Sequence, residues 1–595
     1  MWLLLACTDP DDAQIRTPKR TDGADTPDDT AADTDTDTDT DTDGDTDTDT
    51  DTDTDTVPPD PCLSDVPDPG APDRPDAIGT LTVTVRTANT TYAGTEDEAI
   101  VLCVTATDCF PLTQADHPGL EAGGTGVWSF EALGLDRAAV DRVELRTTDG
   151  DNAWTPACID LRFDGDPVYC EDAPGFQMGS EGGAEVTSWT DPAGLHADCG
   201  TCWDATLTHG PLLGALTTDT ARVWVRTDAT RPVALLVADN AAMLDERVAA
   251  WAYPSAADDF TATLVAECLE PGATYWYEVL VDGLPVMDRA LPFTTPPARG
   301  TGAEARLTFG SCAKEAEQPA FASALADAPD LFVFAGDNHY ANSSDLGSIR
   351  WFYRWSLERE ERADLVARVP TVATWDDHDF LGNDSLGTAP GREDTLRAFT
   401  EYWANPSYGL PGAPGVYTSL AWGDVDVFLL DDRYSRGVDP ASMLGAAQYG
   451  WLVDALLASD ATFKFVVSGS QWSDTGRGDS WYEFRDERTA LFDALAAAHV
   501  GGVVLVSGDI HRSELRLLDR EGAYDLPEIT SSPMAQTSIT TCASGDSELV
   551  ACYAAISYVT VDVDTRLADP TLTATLRDVN GAEQASWTLL RSELE

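Results

Sequence analysis

Four separated apolar runs each end in residues that can bind metals, and no other feature of the chain constrains its fold as much. Leu331-Phe-Val-Phe334 runs into Ala335-Gly336, where the backbone can turn tightly, and then into Asp337, Asn338, His339 and Tyr340. Arg306-Leu-Thr-Phe-Gly-Ser-Cys312, Val369-Pro-Thr-Val-Ala-Thr-Trp-Asp-Asp-His-Asp379 and Val503-Val-Leu-Val-Ser-Gly-Asp-Ile-His511 repeat the pattern. Short apolar runs bounded by glycine and polar residues read as buried strands. In open α/β sheets, loops at strand ends bring together side chains that are distant in sequence. Residues 320–325, 448–457 and 487–498 space their apolar residues at the helical period. An α/β sheet with helices on both faces is therefore expected from Leu307 to about Leu518. Strands are expected again at Tyr558–Val563 and Leu572–Leu576, where alternation resumes.

The residues at these ends suit a particular chemistry. Two neighbouring cations can hold a hydroxide against phosphorus and neutralise the phosphoryl oxygens. Such a centre needs one bridging carboxylate, for which Asp337 is suited, and further ligands from separate loops, here Asp377, Asp509 and His511. Cys312 and Tyr340 are polarisable anionic donors when ionised and suit a ferric ion, whereas Asp377 and Asn383 offer the hard oxygens preferred by calcium. Plainer readings exist for some of them. Cys312 can be a buried apolar residue or half of a disulfide, and Tyr340 can pack beneath its loop. Asn383 can cap a turn, Arg433 can pair with Asp431 or Asp432, and His339 can lie at the surface or behind the ligands.

Composition limits the partners. The net charge of −68 over 595 residues repels nucleic-acid phosphates, so no nucleic-acid-binding surface is expected. Lysine occurs only at positions 19, 314 and 464. The acidic, lysine-poor balance fits a salty habitat, cation binding or lineage composition. Twelve cysteines point to an oxidising compartment. With Cys7 and Cys312 set aside, ten remain for disulfides, and Cys542 with Cys552 is expected to close a loop.

The chain divides by pattern. Residues 1–7, ending in Leu4-Leu5-Ala6-Cys7, resemble the end of a bacterial lipoprotein signal, but the apolar run is short and lacks a basic start, so either the true start is expected upstream or the likeness is accidental. A lipidated Cys7 would anchor the chain to a membrane and place it in the cell envelope, extracytoplasmic, at an outer membrane or cell surface. Residues 8–77 are an Asp/Thr-rich tether with nothing apolar to bury, hence disordered. Asp39 to Gly44 mimics the opening of an EF-hand loop, but Thr50 stands where the bidentate glutamate belongs. Residues 78–172 alternate as strands, with Leu81, Val83 and Val85 on one face. Residues 173–204 read as a linker whose Cys199 and Cys202 form a disulfide, and residues 205–297 as a second β-domain. Residues 304–595 hold the site.

Three resemblances sharpen this division. Thr80 to Thr87, Tyr92 to Thr95, Val143 to Asn152 and Trp154 resemble a PLAT (lipoxygenase-homology) domain, which implies a β-sandwich contacting lipid, calcium or a protein partner; a β-sandwich spacer is the plainer alternative. Leu269 to Tyr277 resembles the turn and tyrosine strand of fibronectin type III-like sandwiches. With His209 to Gly214 it looks like the N-terminal domain of PhoD-type alkaline phosphatases. Phe309-Gly-Ser-Cys312, Gly336 to Tyr340, Trp375 to Asp384 and Gly508-Asp-Ile-His511 together resemble the PhoD-like alkaline phosphatases of the calcineurin-like superfamily. This implies an α/β (αββα) metallophosphoesterase domain after two N-terminal β-sandwiches, with a mixed centre of Fe3+ and Ca2+, other divalent metals being alternatives. Carried over by position, Cys312, Asp337 and Tyr340 bind iron, and Asp377, Asn383, Asp509 and His511 complete the cluster. His378 would protonate the departing alkoxide, and Arg433 would clamp phosphate oxygens. Ala341 departs from the acidic residue usual after the tyrosine, and Asn338 and His339 are atypically polar. The expected activity is hydrolysis of organic phosphate monoesters or diesters by in-line attack of metal-bound hydroxide. Two alternatives stand beside it: a non-enzymatic acidic envelope protein that binds through its PLAT-like domain, and a phosphodiesterase restricted to phospholipid or wall polymers.

Overall fold

The computed structural model describes residues 207–595 except 475, 477 and 521, together with residue 66 and a series of segments between 77 and 190. The lipoprotein-like start, the Asp-Thr repeat and the Cys199/Cys202 pair lie outside the described residues.

Two antiparallel four-stranded sheets, with a short pairing of Ala77–Ile78 on Leu135–Asp136, make up the described part of the first β-region. One runs Thr125–Phe130, Leu81–Thr87, Pro156–Phe163, Asp166–Asp172, and the other Ser188–Thr190, Glu144–Thr147, Ile100–Cys103, Cys109–Leu112. The alternation at 81–85 works as expected: Leu81, Val83 and Val85 are buried in one core with Leu102, Leu145 and Ile159. Ser188–Thr190, inside the stretch read as linker, pairs with Glu144–Thr147 and so belongs to the sheet. Cys103 and Cys109 form a disulfide.

The second β-region has a three-stranded sheet (His209–Leu216, Ala221–Arg226, Thr261–Ala266) and a five-stranded one centred on Val233–Ala238 and Thr274–Val281. It packs against the helices and loops of the C-terminal domain. The Ala215 amide donates to Ala404 O (2.9 Å), Trp224 Nε1 to Glu401 O (2.6 Å) and Tyr277 Oη to Ala367 O (2.6 Å). The backbones approach so closely that a Cβ on Gly214 would sit 2.3 Å from the Ala404 Cβ.

Residues 304–590 build two stacked sheets. The first has the order Thr371–Thr374, Leu331–Ala335, Glu304–Gly310, Ser557–Asp564, Thr571–Asp578, Glu583–Leu590. The second has the order Thr418–Trp422, Val425–Leu429, Phe463–Val467, Val503–Ser507, Leu526–Thr530, Ser513–Leu518, Leu549–Tyr553. Period-two alternation sorts the side chains of each central strand into two layers. Leu331, Val333 and Ala335 join Val427, Phe465 and Val506 in the core between the sheets. Phe332 and Phe334 face the other way, into a cluster with Phe321, Ile349, Leu365 and Phe399 from helices Pro319–Ala326, Leu346–Leu357, Glu360–Arg368 and Arg392–Tyr402. Val466, Val503 and Leu505 meet Leu452, Leu456, Leu491 and Leu495 of helices Gly445–Ala458 and Arg485–Ala497. The layering is helix, sheet, sheet, helix. The disulfide Cys542–Cys552 is formed, while Cys312 is free and buried.

The seam with the second β-region carries a buried charge cluster. Burial alone would push Asp259 up, but Arg226 and Arg354 outweigh it and hold the carboxyl well below the usual range. A depressed folded value contributes stability that is fully present above the unfolded carboxylate value, about pH 4, and is lost as pH falls through the folded value. Asp259→Asn is therefore expected to flatten the acid limb of a stability-against-pH curve measured by chemical denaturation. Gly214→Val, which overpacks the same seam, is expected to cost about 1–3 kcal/mol at neutral pH in that assay.

Candidate metal centre

The strands Glu304–Gly310, Leu331–Ala335 and Thr371–Thr374 run parallel in one sheet, and Val425–Leu429, Phe463–Val467 and Val503–Ser507 run parallel in the other. Their C-terminal ends release Cys312, Asp337, Asp377, Arg433, Ser470 and Asp509. Turning so abruptly after a strand forces unusual backbone: Cys312, Asp337, Asp509 and His511 take φ of 58°, 54°, 62° and 55°. Such left-handed conformations are costly for residues with a Cβ and cluster at functional sites. Gly336 makes the turn before Asp337 feasible at φ 92°, where a Cβ would lie 2.6 Å from that of Asp376.

The ligand atoms of Cys312, Asp337 and His511 lie within 4.8 Å of one another, as do those of Asp337, Asp377 and His378. Asp337 is common to both groups, the placement expected of a bridging carboxylate. Tyr340 Oη donates to Asp337 Oδ2 (3.0 Å) and sits 3.5 Å from His511 Nε2, and the Cys312 thiol is 3.4 Å from the same carboxylate oxygen. Ser311 and Ser532 hydroxyls donate to the sulfur at 3.4 and 3.2 Å. Asp509, nearly buried, stands close enough for its charge to act on both Cys312 and Asp337.

Electrostatics says what this arrangement lacks. Burial pushes the Cys312 thiol up to about 12. Burial, then repulsion from Cys312 and Asp377, drives the Asp337 carboxyl well above its ordinary value. Tyr340 is raised by burial and by Asp337. One oxygen of Asp377 is buried without a hydrogen-bond partner. Donors crowded together, each opposing the ionisation of the next, are reconciled by a multivalent cation, which turns repulsion into ligation. The sulfur, phenol, imidazole and carboxylate set therefore fits a metal centre.

Two expectations change, those for Arg433 and Asn383, and of the two places read for His339 the inner one holds. Arg433 is fully buried and committed: it donates to Asp376 (2.6 Å), to both Asp479 oxygens (2.9 Å each), to Ser470 and to Ser385 O. It has no fork left for substrate: its shortest ion pairs are with Asp376 and Asp479, Asp432 lies 3.8 Å away as a further partner, and its backbone amide donates to Asp431 (3.0 Å). Asn383 faces solvent, while its neighbour Asp384 brings a carboxylate within 4.8 Å of Asp377 and Asp479. His339 is not at the surface; it is buried edge-on against Tyr353, 4.2 Å between ring centres, and burial drives its pKa down to about 3. His378 lies beside Asp337 and Asp377, with Nδ1 2.6 Å from Asn342 Oδ1. An amide oxygen makes Nδ1 the donor in this contact, and burial lowers the ring's pKa. Asn338 was legible only as an oddity. Its amide joins Asp379 (2.6 Å) to Thr374 O (2.8 Å) and fastens the Asp337 loop to the Asp377 loop.

Residues 307–568 match the family described as PhoD-like phosphatase, and residues 204–297 a domain of unknown function, DUF7800. Alkaline phosphatase D of Bacillus subtilis (strain 168) is 22% identical over 340 residues, 47% of this chain. The match spans 58% of that curated relative's length. Among solved structures, PhoD superposes with a TM-score of 0.56 at 17% identity, over 66% of this chain and 92% of that one. A purple acid phosphatase from yellow lupin seeds gives 0.51 at 12% identity, over 86% and 91%.

Replacing Arg433 by methionine leaves Asp376 buried without its cation and Asp479 with Arg436 alone. Breaking a buried pair in this way costs about 3–5 kcal/mol, and Arg433→Met is expected to lose that much in urea unfolding, while Asn383→Ala stays within about 0.5 kcal/mol.

Proposed function

We propose that this chain, whose residues 307–568 form a PhoD-like phosphatase domain, is a metal-dependent phosphoric ester hydrolase acting on phosphate monoesters or diesters. The observation that carries the reading is the meeting of Cys312, Asp337, Tyr340 and His511 around one point, with Asp337 shared by a second group containing Asp377 and His378. The soft thiol and phenol favour Fe3+ at the first position, held by Cys312, Asp337, Tyr340 and His511. Asp337, Asp377, His378 and Asp509 would hold Ca2+ or another divalent ion at the second. Such a pair, when bound, supplies an activated water and neutralises charge on the phosphoryl group.

The chain's own residues do the positioning. Arg433 locks Asp376, beside Asp377, against Asp479. The Tyr340 and His378 rings lie 4.2 Å apart and form one wall over Asp337. The imidazole Nε2, carrying a lone pair, would take a proton from the attacking water or serve as a ligand. The disulfides at Cys103–Cys109 and Cys542–Cys552 support an oxidising, extracytoplasmic location, with Cys7 as the lipid anchor. The β-region at 78–172 would add a lipid or protein contact.

Metal-loaded protein is expected to turn over 4-nitrophenyl phosphate or its bis-ester and to lose that activity with a strong chelator. Elemental analysis should find iron. Asp337→Asn should lower kcat by at least about 100-fold, and Tyr340→Phe should abolish the visible ferric-phenolate absorption band. Absence of turnover in protein proven to hold metal would remove the reading.

A further inference from the structure

We propose that Lys314 selects for phosphate dianions at this centre, favouring monoesters over diesters by placing an unpaired ammonium at its mouth. The inference rests on the phosphoesterase reading above and adds a substrate class to it.

With Arg433 committed, any discrimination between a doubly and a singly charged phosphate beyond what the metals give must come from another cation. The neighbouring arginines do not supply it. Arg436 is buried on Asp479 and Glu483, and Arg512 is tied to Glu514 and Thr540. Lys314 remains. It follows Cys312 by two residues, and its backbone amide is fixed to Ala535 O at 2.8 Å. Its Nζ lies 5.7 Å from the centre of the Tyr340 ring, itself 4.2 Å from the His378 ring. The side chain is exposed and makes no ion pair among the described residues.

This chain nearly dispenses with lysine. Lys19 lies outside the described residues, and Lys464 is spent on the carbonyls of Ala461 (2.6 Å) and Gly501 (3.3 Å). A surface of net charge −68 repels any dianion at long range, so a single local cation weighs more here than on an ordinary protein. Above a pH of about 6 a phosphate monoester carries two charges, whereas a diester carries one. The extra charge is what an ammonium at the mouth would reward. The plainer reading is a cation–π contact that merely packs on Tyr340, and that contact is indifferent to substrate charge.

The experiment compares 4-nitrophenyl phosphate with bis(4-nitrophenyl) phosphate, at about pH 8, for wild type, Lys314→Gln and Lys314→Arg. The glutamine variant should lower monoester kcat/KM about fivefold and the diester value less than about twofold, arginine should restore the ratio, and added salt should narrow the wild-type preference. In parallel, calorimetry on metal-loaded protein measures inorganic phosphate, with dimethyl phosphate as the singly charged control. Phosphate should bind Lys314→Gln about fivefold more weakly, and dimethyl phosphate equally well. Equal loss on both esters, or no loss on either, overturns the proposal. If wild type turns over neither ester, the phosphoesterase reading fails, and the phosphate-binding arm still decides for or against Lys314.

Discussion

Buried negative charge is the constraint to which the rest of the structure responds. Asp337, Asp376, Asp377, Asp379, Asp431, Asp432 and Asp479 all lie in or near the cleft where the two sheets end, and all are buried. Carboxylates taken out of water need cations or several hydrogen-bond donors. The protein supplies both unevenly. Asp431 is satisfied by the amides of Val416, Arg433 and Tyr434 and by the Trp375 indole. Asp479 is satisfied by Arg433 and Arg436, and Asp376 keeps one oxygen on Arg433 while the other is buried without a hydrogen-bond partner. The carboxylate nearest Cys312 and Tyr340 receives neither an arginine nor enough donors, and that shortfall defines the metal centre.

Arg433 belongs to the scaffold for the same reason. Its guanidinium joins the end of the Thr371–Thr374 strand, in one sheet, to the loops after Val425–Leu429 and Phe463–Val467 in the other. A buried ion pair contributes little net stability over an apolar replacement, but it fixes geometry, because each alternative arrangement strands a charge. Here it sets the spacing between the two halves of the site. The strained backbone at Cys312, Asp337, Asp509 and His511 is held by the surrounding close-packed layers of leucine, valine and phenylalanine, in which no loop can relax alone.

The second β-region extends this bracing. Trp224 and Tyr277 reach the backbone of helices and loops that cover the outer face of the Leu331–Ala335 sheet, and Tyr402 is shared between the Asp259 cluster and the aromatic stack on Tyr353. Tyr353 in turn packs edge-on against His339. A continuous chain of contacts thus runs from the seam to the residue beside Tyr340, through rings and hydrogen bonds that tolerate little displacement.

The sequence alone determined the layered architecture and most of the residues that meet at the candidate centre. The unbroken apolar runs at Leu331–Ala335 and Val503–Ser507 oblige a strand with two buried faces, and such strands deliver the residues after them to one edge, so Cys312, Asp337, Asp377, Asp509 and His511 were legible as a group. Three of the six longer helices, Leu346–Leu357, Glu360–Arg368 and Arg392–Tyr402, were not read, because their apolar residues are few among charged ones even though they gather on one face. Only the tertiary structure decided what the polar residues between the ligands do. Arg433 as clamp or strut, His339 outside or inside, and Asn383 or Asp384 beside Asp377 all depend on which segment packs against them. Arg433 meets Asp376 and Asp479 across 57 and 46 residues of sequence, and contacts at such separations leave no periodic trace in either segment.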